Sequence, residues 1–480
     1  MECKDVLATD RPELANSRVS AVALLVAGAF FMENLDGTVI VTALPQMARS
    51  FGVHPVDLNI GVSAYLFTLA VLIPASGWMA DRFGTRPVFT WAIVIFTGAS
   101  ILCGLCHNLT AFTCARILQG AGGAMMVPVG RLAVLRTAKK HELISAIATI
   151  TWPALAAPVL GPPLGGFITT YASWHWVFFL NVPLGLIAFI WALRLLPKEE
   201  PEASLPFDGV GFVLSGGACF ALIYSLERVS RGPGSWLLTS LLLVGAGLFG
   251  MAARFHFRRQ AHPLIDFRSL RIPSYLVTLR GGSLFRMAIS AVPFLLPLLF
   301  QIGFGLSPFA SGLLVLSVFA GNLVMKSLTT PILRRFPFRT TMLVNGTLNA
   351  ATLFGCALLT PATPLPLIAA LLFVSGLTRS MQFTAYNTLA FADVPENLMS
   401  GANTLFNMVV QMGMAMGIAL GAVALRIAAL FGPAAPGIIP MAHFHFAFVI
   451  IGVVALSDLI DMVGLDPMAG DRVRARRPTD

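Results

Sequence analysis

Charged residues are scarce in this sequence of 480 residues, of which only 11% are Asp, Glu, Lys or Arg. Hydrophobic residues make up 56% of the chain, and the mean hydropathy is +0.81. Polar surface is therefore too scarce to cover a water-soluble globule. Apolar runs of about 20 residues recur, and each is long enough to cross a hydrocarbon core of about 30 Å as a helix. The composition indicates an integral membrane protein.

Charge clusters and proline or glycine residues separate these apolar runs, and the pattern predicts about fourteen transmembrane helices. We therefore expect an all-α integral membrane fold. The predicted spans are 20–45, 58–80, 87–106, 111–135, 143–170, 175–196, 208–227, 236–254, 275–301, 308–332, 340–360, 364–390, 400–426 and 442–465.

Lysine and arginine are distributed unevenly between the predicted loops of the two faces. One face holds only Arg49, Arg228, Arg231 and Arg426, and most of the other basic residues lie on the opposite face or in the tail. The positive-inside rule then places both termini in the cytoplasm. Since the net charge of +10 is mostly a topology signal, we expect no nucleic-acid partner.

Motifs that carry catalysis or bind cofactors are absent from the sequence. There is no Walker A glycine loop, no H-E-x-x-H spacing and no Ser/His/Asp constellation. The one close cysteine pair, Cys103 and Cys106, is better explained as small packing residues than as metal ligands. We expect no enzymatic activity, no catalytic residue, no metal site and no cofactor.

One short turn is unusually charged. The stretch GWMADRFGTRPV places Asp81, Arg82 and Arg86 between two apolar runs, with Gly77 and Gly84 beside them. Positive-inside anchoring would explain the arginines alone, but acids contribute little to orientation. A glycine also permits close approach of another helix. We expect these five residues to form a charge-assisted latch to the neighbouring bundle at the inner face, which breaks when the helices separate.

Two further stretches lie inside predicted spans. RILQGAGGA places Arg116 within the bilayer, where an arginine is costly enough to indicate a functional role. PVLGPPLGG combines prolines, which bend a helix, with glycines, which admit a partner helix closely. Its key residues are Gly161, Pro162, Gly165 and Gly166. An ordinary kinked helix is the alternative for this second stretch.

These motifs resemble those of the major facilitator superfamily. The stretch G-x-M-A-D-R-x-G-T-R is similar to the family's signature between helices two and three, and the two intramembrane stretches resemble its R-x-x-Q-G and antiporter motifs. WHWVFFLNVPLG and LDGTVIVTALP resemble stretches of the 14-helix drug:proton antiporter subfamily. In the second of these, Val41 stands where the subfamily has asparagine, which puts any substrate contact of that amide in doubt.

The resemblance implies two six-helix bundles around a central cavity that opens alternately to either side, with two helices inserted between them. The expected divisions are a cytoplasmic segment 1–19, an N-terminal bundle 20–196, a linker with two helices 197–274, a C-terminal bundle 275–465 and a basic cytoplasmic tail 466–480. It also implies the bacterial inner membrane. We expect a monomer whose partners are a small-molecule substrate, protons and membrane lipid.

Two acids on the first predicted helix are candidates for proton coupling. Glu33 and Asp36 are three residues apart, so they share one face near the middle of the bilayer. Two adjacent carboxylates resist ionising together, so one should hold a proton at neutral pH. We expect Asp36 to be the principal proton site, with Glu33 modifying its affinity. By analogy with the family, Arg116 supplies the counter-charge. A packing or snorkelling pair is the alternative.

Aromatic, amide and arginine side chains inside apolar spans are candidates for the cavity wall. They are Phe30, Trp152, Arg286, Gln301, Arg379, Gln382, Tyr386, Asn387, Asn407 and Gln411. Ordinary helix packing is the alternative for each of them. We expect Asp458 to be interfacial and Lys326 to snorkel from an inner helix end.

The sequence thus predicts proton-coupled efflux of small molecules, as by a multidrug antiporter. The alternatives are a dedicated exporter of an organic acid, a metal chelate or another metabolite, and a membrane sensor that binds ligand without moving it. Because Arg116, Arg286 and Arg379 at least match the buried acids, we expect anionic or zwitterionic compounds to be accepted as well as or better than cationic dyes. Pairing of these arginines with backbone carbonyls and helix ends is the alternative.

Overall fold

The computed structural model describes residues 11–137, 143–197, 206–230, 236–260, 264–265, 267–429 and 439–469. The regular elements in these ranges are helices, which confirms the all-α class. The helices of the first half are α1 (Arg11–Phe51), α2 (Asn59–Phe83), α3 (Thr85–Leu105), α4 (Leu109–Thr137), α5 (Leu143–Tyr171), α6 (His175–Phe179) and α7 (Asn181–Leu195). The later helices are α8 (Gly209–Ser230), α9 (Trp236–Arg259), α10 (Pro273–Leu298), α11 (Pro308–Arg335), α12 (Phe338–Cys356), α13 (Leu365–Ala392), α14 (Glu396–Ala429) and α15 (Met441–Val463).

Length and composition make 11 stretches of the described chain suitable to cross a membrane. Helices α6 and α7 form one of these stretches, His175–Leu195, because only Leu180 separates them. The count of fourteen spans stays a prediction. Helix α1 extends beyond the predicted span 20–45 at both ends, because hydropathy marks only the apolar part of a helix.

The helices pack as two bundles with an inserted pair, as the fold class predicts. In the N-terminal bundle, α1 packs against α4 and α5, α2 against α4, and α3 against α4 and α7. In the C-terminal bundle, α10 packs against α14 and α15, α11 against α13, and α12 against α13 and α15. Helices α8 and α9 pack on each other, and α8 also contacts α2 and α14, so the pair lies beside the seam between the bundles. The residue boundaries of the domains stay predictions.

The bundles contact each other mainly through α5 with α11 and α2 with α14. We call the end of the molecule that holds the α1–α2 connection the outer end, and the end that holds the α2–α3 turn the inner end, following the predicted orientation. Glycines bring α5 and α11 together. A Cβ on Gly166 would lie 2.5 Å from the Pro308 carbonyl oxygen, and one on Gly312 would overlap the Pro162 carbonyl. The backbones of the two bundles therefore touch near their outer ends.

Asp208 holds the inserted pair together just before α8 begins. Its Oδ1 accepts the Gly211 amide at 2.9 Å and lies 2.7 Å from His256 Nε2 of α9, while Oδ2 accepts the Leu264 amide at 3.2 Å. Burial acts to raise the pKa of this carboxyl, but the hydrogen bonds from Gly211, His256 and Leu264 outweigh it and lower the pKa below its usual value.

Candidate functional site

The centre of the N-terminal bundle holds a buried ion pair. Arg116 Nη1 of α4 lies 2.7 Å from Asp36 Oδ2 of α1, and both side chains are 0% exposed. The other carboxylate oxygen of Asp36 accepts hydrogen bonds from Gln119 Nε2 at 2.9 Å and from Asn181 Nδ2 at 2.8 Å. Both oxygens of Asp36 therefore have charged or polar donors, as a buried carboxylate requires.

Polar groups from two further helices complete this network. Ser100 of α3 accepts from Gln119 Nε2 at 2.8 Å and from Asn181 Nδ2 at 3.2 Å. The Tyr65 ring of α2 lies under the guanidinium of Arg116, with 4.3 Å between Cζ and the ring centre. The network thus ties together five helices of the N-terminal bundle: α1, α2, α3, α4 and α7.

Glu33 lies about one turn before Asp36 on α1, but its carboxyl group has a different environment. Its Oε2 is buried and has no hydrogen-bond partner among the described residues, and the side chain borders a cavity. A Cβ on Gly123 of α4 would lie 3.6 Å from Glu33 Cδ and 3.1 Å from the Tyr65 hydroxyl, so glycine leaves room for both groups. Asp36 therefore has a full set of hydrogen-bond donors, whereas Glu33 lies at the cavity wall.

The cavity lies between the two bundles and has a volume of about 430 Å³. This is the size of sites that bind small organic molecules. Most of its wall is apolar, from side chains such as Leu66, Leu69, Val315, Phe319 and Met414. The charged residues that border it are Glu33, Arg116, Arg286, Lys326 and Arg379.

The cations of the C-terminal bundle contact neutral groups. Arg286 Nη2 donates to Asn387 Oδ1 at 3.2 Å, and its Cζ lies 4.8 Å from the centre of the Phe406 ring. Lys326 Nζ donates to the Thr384 hydroxyl at 3.0 Å. Arg286 Nε and Nη1 and Arg379 Nη1 are buried without a hydrogen-bond partner in the described chain. On the N-terminal side of the cavity, Arg116 is paired with a carboxylate, whereas the cations on the C-terminal side contact neutral groups.

Three of the cavity candidates from the sequence, Arg286, Arg379 and Gln411, border the cavity. Phe30 instead packs in the core of the N-terminal bundle. Gln301 follows α10 in the short π-helical stretch Leu299–Gly303, and its Nε2 donates 3.0 Å to the Thr42 carbonyl. The side chain of Trp152 lies outside the described part of the structure.

The remaining candidates have partners within the C-terminal bundle. Gln382 is fully buried and accepts from Asn345 Nδ2 at 2.9 Å. The Tyr386 ring packs against that of Phe285, with 5.5 Å between centres. Asn387 supports Arg286, and Asn407 donates to the carbonyl of a residue one turn earlier on α14. In this conformation these polar groups serve helix packing and the positioning of Arg286.

The expectation that Asp458 is interfacial was wrong. Asp458 of α15 is 1% exposed, and its Oδ1 has no hydrogen-bond partner among the described residues. Lys326 borders the cavity and is half-buried. Neighbouring helices extend as far as Asp458 and cover it, which distance from the end of an apolar run does not reveal.

The glycines of the antiporter motif face two different helices. A Cβ on Gly161 would overlap the Thr38 side chain of α1, and one on Gly165 would meet Val39 and the Thr42 hydroxyl. Gly166 instead faces α11 of the other bundle, and Pro162 borders the cavity. The stretch therefore packs α5 on α1 within one bundle and on α11 across the seam.

Asp81 and Arg86 of the charged turn have partners within the N-terminal bundle, and the expected bridge to the neighbouring bundle stays a prediction for the arrangement with joined inner ends. Asp81 Oδ1 lies 2.7 Å from Arg136 Nη2 of α4, and Arg86 Nη2 donates 2.6 Å to the Leu193 carbonyl of α7. Arg82 and Gly77 are exposed, and a Cβ on Gly77 would meet nothing within 4 Å. Gly84 ends α2 and begins α3 with φ of 86°, a conformation that favours glycine.

At the outer end, polar contacts join the two bundles. Asp57, in the α1–α2 connection, forms an ion pair of 2.7 Å with Arg426 near the end of α14. The Phe309 amide of α11 donates to the Thr170 hydroxyl of α5 at 3.1 Å. The structure thus has its outer ends joined, and Asp81 has its partner within its own bundle.

Two bundles of apolar helices, with a charge-bordered cavity between them, form the architecture of a membrane transporter. Residues 26–418 match the Major Facilitator Superfamily. The chain belongs to this superfamily.

Similar proteins and structures are also transporters or named as resistance proteins. The chain is 37% identical over 426 residues to the "Putative multidrug resistance protein MdtD" of Salmonella newport strain SL254, covering 88% of this chain and 89% of that protein. A D-xylose-proton symporter has a similar fold, with a TM-score of 0.64, 15% identity and coverage of 93% and 97% of the two chains. An inward-facing, unoccupied bacterial homologue of the lysosomal transporter Spinster has a TM-score of 0.62, 14% identity and coverage of 98% and 100%. The last two similarities concern the fold alone.

The sequence interpretation did not identify Tyr65, Ser100 and Asn181 as residues of the site. Tyr65 and Ser100 lie in apolar spans, where a polar side chain is itself a signal for a partner. Asn181 was part of a recognised motif, but its hydrogen bond to Asp36 requires α7 to pack beside α1, which no spacing in the sequence specifies.

Proposed function

We propose that this protein exports small molecules from the bacterial cytoplasm across the inner membrane in exchange for protons. The substrate occupies the cavity between the bundles, and the Glu33 carboxyl group takes up and releases the proton. One observation carries the proposal: Glu33 Oε2 has no partner in the described chain and lies at the cavity wall. Since Glu33 forms no ion pair within the described residues, its protonation can change without separating two buried charges.

The transport cycle alternates between two arrangements of the bundles. With the outer ends joined, Glu33 loses its proton to the cytoplasm and substrate enters from the inner side. When the Asp57–Arg426 pair and the α5–α11 contacts separate, substrate leaves outward and Glu33 takes a proton from the outside. The contacts that support this closed outer end are the ion pair and the glycine contacts of Gly166 and Gly312.

Asp36 and Arg116 have a supporting role in this mechanism. The sequence interpretation gave Asp36 the principal role in coupling, but the donors around both of its oxygens favour a permanently paired carboxylate. Tyr65, which contacts Arg116 and lies near Glu33 across Gly123, is positioned to transmit a change at the cavity to the buried pair.

The proposal extends to the orientation of the termini and to the oligomeric state. The basic residues favour cytoplasmic termini and contact of the tail with anionic lipid. The cavity lies within one chain, so a monomer is sufficient for transport.

Proteoliposomes with a pH gradient test the proposal, with ethidium and fluorescein as probes. We expect Glu33→Gln to abolish gradient-driven accumulation but to keep counterflow exchange, because the substrate site remains. Glu33→Asp, which retains a carboxyl group, is the matched control and should keep part of the coupling. Full proton-coupled accumulation by Glu33→Gln would contradict the proposal. Absence of counterflow by the parent protein across a wider probe panel would favour the sensor alternative.

A further inference from the structure

We propose that the substrate is an amphiphilic organic anion, whose carboxylate binds between Arg286, Arg379 and Lys326 of the C-terminal bundle. This inference rests on the proposed export function and names its substrate class. The three side chains come from α10, α13 and α11, and all border the same cavity. No carboxylate of the described chain lies within 4 Å of any of them.

The charge balance of the cavity is the first step. Its charged lining comprises the acid Glu33 and the four cations Arg116, Arg286, Lys326 and Arg379. Asp36, which does not border the cavity, neutralises Arg116. One acid therefore faces three uncompensated cations. Asp458, a buried acid of the C-terminal bundle, does not border the cavity either.

The second step is the cost of leaving these cations unpaired. Arg286 is 0% exposed, yet its Nε and Nη1 have no acceptor in the described chain, and its contacts are to an amide and to aromatic rings. Burying an unpaired charge is strongly unfavourable unless a partner is supplied. Since arginine remains charged in proteins, the missing partner is an anion that arrives with the substrate.

The third step is the chemistry of that anion. A guanidinium fork recognises a planar carboxylate through paired hydrogen bonds. Around the cations the wall is apolar, with Phe319 and Phe383 beside Arg379 and Arg286. This surface suits the hydrocarbon or aromatic body of the same molecule. A carboxylate on an apolar body satisfies both parts of the site.

The test measures equilibrium binding to purified protein in lipid nanodiscs, with no proton gradient. Fluorescein, which has a free carboxylate, and rhodamine 123, a cationic ester on a similar xanthene core, are compared by fluorescence anisotropy. We expect fluorescein to bind more tightly. Arg286→Gln and Arg379→Gln should each weaken it about tenfold, as expected for a lost hydrogen bond to a charged group. Arg280 is an exposed arginine on α10, the helix that carries Arg286, and Arg280→Gln should leave binding unchanged.

A second measurement uses the parent protein alone, so it does not depend on whether a variant folds. Unlabelled 2-naphthoate should displace fluorescein from the parent protein at far lower concentration than 2-naphthamide, which has the same shape without the charge. Equal potency of these competitors, tighter binding of rhodamine 123, or fluorescein binding unaffected by either arginine substitution would overturn the inference. Because binding is measured without a gradient, this test of the substrate class is independent of proton-coupled export, which Glu33→Gln tests.

Discussion

Asp36 and Arg116 form a 2.7 Å ion pair between α1 and α4 that is completely buried, while Glu33, on the same helix as Asp36, has an unpartnered oxygen at the cavity wall. This difference predicts opposite outcomes for the two carboxyl groups. We expect Asp36→Asn to destabilise the protein by about 3–5 kcal/mol, because it leaves a buried arginine without its partner. Glu33→Gln should change stability by far less. Thermal unfolding in detergent measures both.

A double-mutant cycle supplies the control for this prediction. Removing both charges with Asp36→Asn and Arg116→Gln should recover part of the stability that either single substitution loses, because no unpaired charge remains. Additive losses from the two substitutions would show that the ion pair is not the source of the effect.

The charged turn at the inner end leads to a prediction about conformation. The Asp81–Arg136 pair is partly exposed, with 44% and 29% of the side chains accessible, so it contributes only about 0–1 kcal/mol to stability. Asp81→Asn should therefore leave the unfolding temperature unchanged. If Asp81 bridges to the other bundle when the inner ends meet, the substitution should shift the population toward the arrangement with joined outer ends.

Arg136→Gln is the matched variant for the turn, because it releases Asp81 from its partner in this conformation. It should shift the population in the opposite direction to Asp81→Asn. Accessibility of single cysteines placed at the inner and outer ends, in a background without native cysteines, reports both shifts. Unchanged labelling in the two variants would exclude a latch.

The sequence predicted an all-α membrane fold for physical reasons, whereas the two-bundle arrangement followed from the family resemblance. Apolar runs of membrane length force helices, and motifs such as PVLGPPLGG indicate where small residues allow close packing. Arg116 was predicted as the counter-charge of Asp36 by analogy with the family, and the two side chains do form an ion pair.

The environments of individual polar residues could not be predicted in the same way. Glu33 and Asp36 share a helix face in the sequence pattern, yet α4 and α7 supply donors to Asp36 only. Asp81 pairs with Arg136 of α4, and the spacing within the α2–α3 turn does not specify that α4 supplies this partner. The burial of Asp458 depends on the helices packed around α15, which the spacing within one span does not specify.

Close contact of α5 with α11 predicts that Gly166 is required for closure of the outer end. A Cβ at this position would lie 2.5 Å from the Pro308 carbonyl oxygen and 2.9 Å from Phe309 Cα, so the backbones must move apart. We expect Gly166→Ala to disfavour this conformation by about 1–3 kcal/mol, the usual cost of overpacking. Distances between spin labels at the outer ends of α5 and α11 should increase. Gly98→Ala, where a Cβ meets nothing within 4 Å, should leave them unchanged.

The last prediction concerns the response of the outer closure to acid. His54 lies in the α1–α2 connection, and its Nδ1 accepts the Val56 amide at 3.4 Å, so this nitrogen is unprotonated in the neutral ring. Burial and the nearby Arg426 lower the pKa of His54, and they outweigh the opposite effect of Asp57. Protonation would break the hydrogen bond from Val56 and place a cation beside Arg426.

Because the pKa of His54 is depressed when the outer ends are joined, this arrangement binds the proton less well than one in which the ring is solvated. The closure should therefore be insensitive to pH above the ordinary histidine value and should weaken as pH falls below it. Outer-end spin-label distances measured between pH 7.5 and pH 5 should lengthen on acidification in the parent protein. In His54→Gln, which stays neutral, the response should be smaller. An equal response in the two proteins would assign the pH dependence to another group.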